Sequence, residues 1–385
     1  MLWPLQLPCV ARQPFEIADR IHLLQPSGIR KFFELGQSMK NPIDLSIGQA
    51  DFDVPDEIKQ AATAAIASGR NRYTVTQGIE PLRTALKRRY AARFKGVENE
   101  EIIVTSGVAG ALMLSFLALL NPGDEVIIPD PYFVMYRHLA SLVGARAVAI
   151  NTYPDFRFTA ERVEAAITPR TRAIVVNSPS NPTGATLDEA QARDLARLAD
   201  ARGLVVISDE IYEDFIYEGR HVSVREFTPN CLVLSGASKS MGMPGWRMGW
   251  MLGPRDFIER CYIVQQFTFV CAPSPAQHAV LAGLNLDFSG HLADYRRKRS
   301  LVCEGLKDRF ALTQPRGAFY AFPALPEGVK LDAFIAACIE RELLVVPGSA
   351  CSSRDTHLRI SYAAPDDKLV RAVDILRELA LKLKR

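Results

Sequence analysis

The sequence predicts an α/β fold: a large domain with a mostly parallel seven-stranded sheet between helices, followed by a smaller α+β domain. Three observations carry this. Seven short apolar runs alternate with helical patterns between residues 100 and 270. Most of these runs end in a polar or turn-forming residue. Beyond residue 284 the alternation gives way to a long charged helix and short strands. Strands that alternate with helices join through right-handed crossovers, and the sheet they form is covered on both faces.

The apolar runs are 102–105, 125–128, 147–150, 173–177, 204–208, 232–235 and 248–252. Helical patterns occupy 110–120, 132–143, 160–167, 187–201 and 255–267. The later region opens with a charged helix over 293–310. Short strands follow at 318–322, 343–346 and 357–362, and a last helix begins at Asp366. The chain thus divides into an N-terminal arm that joins the small domain, residues 1–45, a large domain, 46–283, and a small C-terminal domain, 284–385.

Composition narrows the function. A chain of 385 residues with 48% hydrophobic and 23% charged residues is ordinary globular material. A net charge of +3 is too weak for a nucleic-acid binder. The seven cysteines are scattered, odd in number and without a CxxC pair, which points to reduced thiols and a cytoplasmic setting. The six histidines show no ligand spacing, so no metal site is expected. The apolar start, residues 1–11, lacks the basic flank of a signal peptide and contains two prolines. The longest apolar stretch, 109–120, is too short to span a bilayer.

The ends of the strands carry the chemistry. Ser106-Gly107, Asp130-Pro131, Asn177, Asp209-Glu210 and Ser235 each follow an apolar run. In a parallel sheet these carboxyl ends share one edge, where polar residues from distant parts of the chain converge. An Asp after a strand is commonly a helix N-cap, and Asn181-Pro-Thr-Gly184 alone reads as a turn. Their convergence on Lys239, in "SGASKSMGMPGWRMGW" (235–250), marks a site. A P-loop needs a Gly-Lys dipeptide, which the chain lacks. Neither GxSxG nor SxxK is present at the lysine, and "TSGVAGAL" does not supply GxGxxG. What remains is a lysine that forms a Schiff base, with an aspartate for a pyridinium nitrogen, which is what pyridoxal phosphate demands of a protein.

Nine ordered motifs extend this along nearly the whole chain. They are "PSGIRKFFEL" (26–35), "LSIGQADFDVP" (45–55), "YTVTQGIEPLR" (73–83), "VTSGVAGAL" (104–112), "NPGDEVIIPDPYF" (121–133), "NSPSNPTG" (177–184), "SDEIYEDF" (208–215), "SKSMGMPGWRMGW" (238–250) and "HLRISYA" (357–363). Together they resemble the class I/II aminotransferases of the aspartate aminotransferase fold, fold type I, which use pyridoxal 5′-phosphate.

The resemblance implies roles. Lys239 resembles the Schiff-base lysine, which also moves the proton. Asp209 resembles the partner of the ring nitrogen, and Asn181 and Tyr212 resemble the donors to the ring oxygen. Phe133 resembles the aromatic that stacks on the ring. Arg247 resembles the phosphate arginine, joined by the backbone amides of Val108 and Ala109 and the hydroxyl of Ser238. Many relatives carry a serine three residues before the lysine; here it is Gly236. Tyr73 resembles the tyrosine that reaches the phosphate of a partner subunit, which implies a homodimer with shared sites. Arg359 resembles the fork that grips the substrate's α-carboxylate, with Gly48 approaching through its backbone.

The donor side chain is read from absences of charge. One acidic-substrate subgroup has a lysine at the position matching Ala109. Others use a partner arginine from a segment resembling 267–272, which here reads Phe-Thr-Phe-Val-Cys-Ala. A neutral or aromatic donor is therefore expected, with a 2-oxo acid as acceptor. An aspartate:2-oxoglutarate aminotransferase and a C–S β-lyase of the same fold are the alternatives. A ligand-sensing regulator would need a DNA-binding extension, and residues 1–45 lack helix-turn-helix patterning.

Overall fold

The computed structural model describes residues 17–24, 26 and 28–383. Cys9, the apolar start 1–11, and Lys384 and Arg385 lie outside the described residues. The short β1 (Ile43–Asp44) precedes the main sheet. That sheet contains β2 (Glu100–Ser106), β3 (Glu125–Asp130), β4 (Arg146–Asn151), β5 (Thr171–Asn177), β6 (Val205–Asp209), β7 (Cys231–Gly236) and β8 (Met248–Pro254). All seven predicted runs are found, with ends shifted by at most two residues.

The strand order is β2-β8-β7-β6-β5-β3-β4. From β4 to β7 every pairing is parallel. β8 runs antiparallel to both of its neighbours, β2 and β7. The link from β7 to β8 explains this. It holds only residues 237–247, with one short 3₁₀ turn, and a parallel crossover needs a dozen or more residues. As a result the amino end of β8 meets the carboxyl ends of β2 and β7, pairing Ser106 with Met248 and Gly236 with Gly249.

Successive residues of a strand point to opposite faces. Val104, Ile174, Val176, Val206 and Val233 therefore join one apolar core, and Ile103, Val175, Ile207, Leu232 and Leu234 join another. Helices at Asp56–Ala67, Glu80–Ala91 and Ser274–Gly283 pack on the first face and were not predicted. Two of them bury alanines where a stronger apolar signal would be expected, at Ala62 and Ala65, and at Ala276 and Ala279.

The remaining strands are β9 (Tyr320–Ala321), β10 (Leu343–Leu344), β11 (Val346–Pro347) and β12 (Leu358–Ser361). β12 pairs antiparallel with β11 and β9, while β1 pairs parallel with β10. The predicted strand over 318–322 reduces to two residues, and that over 343–346 divides into β10 and β11. The helices Ser289–Leu306 and Asp366–Lys382 pack together. A third core joins Ile43 and Leu45 to Tyr295, Phe319, Tyr320, Ile360 and Leu376. No helix among the described residues is long and apolar enough to cross a membrane.

Candidate active site

Three strand ends deliver Asn177 (β5), Asp209 (β6) and Ser235-Gly236 (β7) to one edge, and the turn after β7 adds Ser238 and Lys239. Arg247 arrives immediately before β8, which the antiparallel reversal makes possible. Asn177, Asp209, Ser238, Lys239 and Arg247 line a cavity of about 240 Å³, while Ser235 turns to Glu213 on the other side. Gly48, Val108, Ala109, Phe133, Asn181, Asp209, Tyr212, Ser238, Lys239, Arg247 and Arg359 all line it. Tyr73 does not; its side chain is 85% exposed.

Lys239 Nζ donates to the carbonyl of Gly48 and lies 5.8 Å from the centre of the Tyr212 ring. Burial, with Arg359 and Arg247 nearby, lowers its pKa to about 8. Its amine is thus neutral at mildly alkaline pH, as a nucleophile or base must be. Asp209 is buried, and burial raises its pKa to about 6 despite the Tyr136 hydroxyl that donates to Oδ2 at 2.6 Å. A cation placed against this carboxylate would restore its charged form.

Arg359 is 2% exposed and has no carboxylate partner among the described residues. Its Nη1 donates to Asn181 Oδ1 at 3.3 Å and its Nη2 to the Ser46 carbonyl. Its Nε is buried without a hydrogen-bond partner. A buried guanidinium without a counter-charge is costly, and an anion in the cavity would offset that cost.

Arg247 Nη1 donates to the Pro244 carbonyl at 2.9 Å. Its guanidinium needs the glycine at 107: a Cβ there would come within 2.5 Å of Nη2, and the backbone has φ +68°. The helix Gly107–Leu119 starts here, and its N-cap Ser106 makes no side-chain capping bond. First-turn amides lack intrahelical acceptors, and Val108 and Ala109, in this first turn, line the cavity. At Gly236 a Cβ would lie 2.7 Å from the Met248 carbonyl, so the backbone of β8 takes the room that a serine would need.

Three polar residues of the site went unassigned in the sequence. Tyr136 holds Asp209, as above. Asn177 donates to the Asp209 carbonyl at 3.0 Å and accepts from the Asn181 amide at 2.8 Å. Tyr320 shares a 2.7 Å hydrogen bond with Tyr212. The two tyrosines carried no distinct signal in the sequence, because a buried tyrosine hydroxyl finds a partner that only the fold reveals.

Glu210, Glu213 and His221 place ligand atoms within 4.8 Å of one another. A cation is already built in there, since Arg93 forms ion pairs with both glutamates.

Comparison with known proteins decides the family. The family model for aminotransferase class I and II matches residues 40–376. The chain is 35% identical to a probable aspartate aminotransferase of Methanocaldococcus jannaschii, over 94% of this chain and 99% of that protein. It is 33% identical to aromatic-amino-acid aminotransferase 2 of Thermococcus litoralis, over 96% and 99% of the two chains. The structure of Thermus thermophilus aspartate aminotransferase with maleate superposes with a TM-score of 0.89 at 34% identity, covering 95% of this chain and all of that one.

The chain belongs to the class I and II aminotransferases. It is an enzyme of the transferase class with the aspartate aminotransferase fold. In this aminotransferase the cavity wall beside Lys239 is largely apolar, with Leu112, Phe133, Met135 and Ile211, and Asp209 is its one carboxylate among the described residues. The segment 267–272 lies outside the cavity, with Phe267 85% and Val270 44% exposed.

Proposed function

We propose that this aminotransferase uses pyridoxal 5′-phosphate to move an amino group from an L-amino acid with a neutral or aromatic side chain to a 2-oxo acid. One observation carries the reading: Lys239, Arg247 and Arg359 converge on a cavity that holds a single carboxylate, Asp209. The surplus positive charge matches a ligand pair bearing a phosphate and a carboxylate. The buried, unpartnered Nε of Arg359 supports the same fit. When bound, the cofactor supplies an electron-withdrawing ring.

The chain's own groups then have distinct tasks. Lys239 anchors the cofactor and moves the proton at the substrate's Cα, since its neutral amine is accessible near pH 8. Asp209 keeps the ring nitrogen protonated. Asn181, whose amide oxygen is engaged by Arg359, retains its NH₂ to donate to the ring oxygen beside Tyr212. Phe133 stacks on the ring. Arg247, Ser238 and the amides of Val108 and Ala109 hold the phosphate. Arg359 and the backbone at Gly48 bind the α-carboxylate. Residues 46–283 form the cofactor-binding unit, and 284–385 with the arm before residue 46 form the second; the two sheet-face cores lie within the first, while Tyr212, Phe215 and Tyr217 pack into the core of the second.

The active species in this reading is a homodimer. Tyr73, Val75, Phe267, Phe269 and Val270 are exposed. Bonds from Gln265 to Thr76 and from Gln277 to Thr74 tie their two segments together. An apolar surface of this kind marks a protein interface. A second copy that covers it would bring Tyr73 to the neighbouring phosphate; sedimentation as an active monomer would exclude this. The free cysteines, at 231, 261, 271, 303, 338 and 351, support a reducing, cytoplasmic setting.

A donor screen tests the substrate. With 2-oxoglutarate as acceptor, kcat/KM for alanine, phenylalanine and methionine is expected to exceed that for aspartate by about tenfold or more, because the cavity offers no second cation for a side-chain carboxylate. Aspartate as the best donor overturns the side-chain reading. Pyruvate and ammonia released without an acceptor would identify the C–S lyase instead.

A further inference from the structure

We propose that Tyr320 is a positioning residue that sets the hydrogen-bond polarity of Tyr212 and so tunes the acidity of the Lys239–cofactor unit. The inference rests on the cofactor reading above. Tyr320 and Tyr212 are both buried, and their hydroxyls are 2.7 Å apart with either able to donate. Each phenol owns one proton. If Tyr212 gives its proton to an anionic ring oxygen, it cannot also donate to Tyr320. The shared bond must then run the other way, with Tyr320 donating to Tyr212.

Two further contacts fix Tyr320 in that role. The Arg359 guanidinium carbon sits 5.0 Å from the centre of its ring, which holds the ring from one side. At Gly48 a Cβ would come within 2.0 Å of the Tyr320 hydroxyl, so glycine makes the room this oxygen occupies. The same Gly48 carbonyl accepts from Lys239. Tyr320 therefore touches the partner of the ring oxygen, the carboxylate receptor and the segment that meets the lysine.

The direction of the effect follows from charge. A hydroxyl that accepts a hydrogen bond becomes a stronger donor, because hydrogen bonds in a chain polarise one another. Strong donation to the ring oxygen stabilises its negative charge and lowers the affinity of the neighbouring Lys239 nitrogen for a proton. Removing the Tyr320 hydroxyl weakens that donation, so the nitrogen holds its proton to higher pH.

The test is the pH midpoint of the bound cofactor's absorbance change in the holoenzyme. Tyr320→Phe is expected to raise the midpoint by roughly 0.3–1 unit, with KM for the amino donor changed less than about twofold, because the ring under Arg359 is kept. In a Tyr212→Phe background the same change should produce no further shift, since the chain to the ring oxygen is already cut. An unchanged midpoint in Tyr320→Phe overturns the proposal. So does an equal shift in both backgrounds, which would mean a general packing effect. A wild-type protein that shows no cofactor absorbance after incubation with pyridoxal 5′-phosphate overturns the underlying cofactor reading instead.

Discussion

Asp209 and Glu210 follow one another at the end of β6, yet their side chains enter different regions. Asp209 joins the cavity, where Lys239, Arg247 and Arg359 outnumber it. Glu210 joins a buried network in which acids and bases are matched. It contacts His221 at 2.7 Å, Ser208 at 2.8 Å and Arg93 at 3.6 Å. Glu213, in the same network, pairs with Arg93, with Arg89 at 3.5 Å and with Ser235 at 2.8 Å. Asp209 closes β6 and Glu210 lies one residue beyond it, and their side chains part to different sides, which is how one dipeptide serves both. The difference separates two uses of buried charge. Charges matched within the chain hold structure, and charges left unmatched bind something from outside. Substitutions in the first region should therefore alter chemistry with little loss of folding stability, and those in the second the reverse.

The largest expected effect is at Lys239. Lys239→Ala removes the anchor and the proton carrier together, so turnover should fall roughly 10⁴- to 10⁶-fold. Its melting temperature should not fall, because a buried amine with its pKa lowered to about 8 is itself a strain on the fold. Steady-state rates and calorimetry on the cofactor-free proteins read both. A variant that keeps appreciable transamination would remove Lys239 from its assigned role.

Arg359 comes next. Arg359→Leu removes a charge-assisted carboxylate pair worth about 2–5 kcal/mol when desolvated, so kcat/KM should fall about 30- to several-thousand-fold. Every amino donor carries the α-carboxylate, so the loss should be alike for alanine, phenylalanine and aspartate, with cofactor absorbance intact. A loss that depends on the donor would move Arg359 from the carboxylate to the side chain.

The contrast between the regions also explains what the sequence could reveal. The seven strands were legible because buried parallel strands are continuous apolar runs with polar ends. Lys239 and Asp209 were legible as cavity residues because they stood just after such runs, whereas Arg359, which also lines the cavity, was reached only through the family resemblance. The antiparallel turn of β8 was not, since it depends on the length of a link that carries no hydrophobic pattern. Tyr136 and Tyr320 were missed because a tyrosine in an apolar stretch reads equally as core, and only the partner across the fold gives its hydroxyl a meaning. Arg93 and His221 were invisible for the same reason. The carboxylate partners of Arg93 lie more than a hundred residues away, and the packing of the helix Glu80–Ala91 near the sheet brings them within reach, whereas His221 meets Glu210 only eleven residues back, through the turns that follow β6.

The smallest expected effect tests the matched region. Arg93→Met keeps an apolar stem beside the rings of Tyr90 and Phe94 but removes the charge shared by Glu210 and Glu213. Breaking a buried pair costs several kcal/mol, and Arg89 and His221 remain to compensate, so the loss should be about 3 kcal/mol in denaturant unfolding of the cofactor-free protein. Its pH dependence has a definite sign. Burial alone would lower the pKa of His221, but Glu210 outweighs it and the pKa is raised in the folded state. A raised histidine pKa contributes stability at low pH that is lost as pH rises through the folded value. Arg93 repels the protonated ring, so its removal raises that pKa further and lets His221 take over part of its work at low pH. The destabilisation should thus be smaller at pH 6 than at pH 8.5, while kcat/KM for the best donor changes only a few-fold. A larger loss at pH 6, or a collapse of kcat/KM without loss of stability, would show that the two charge clusters are one working unit.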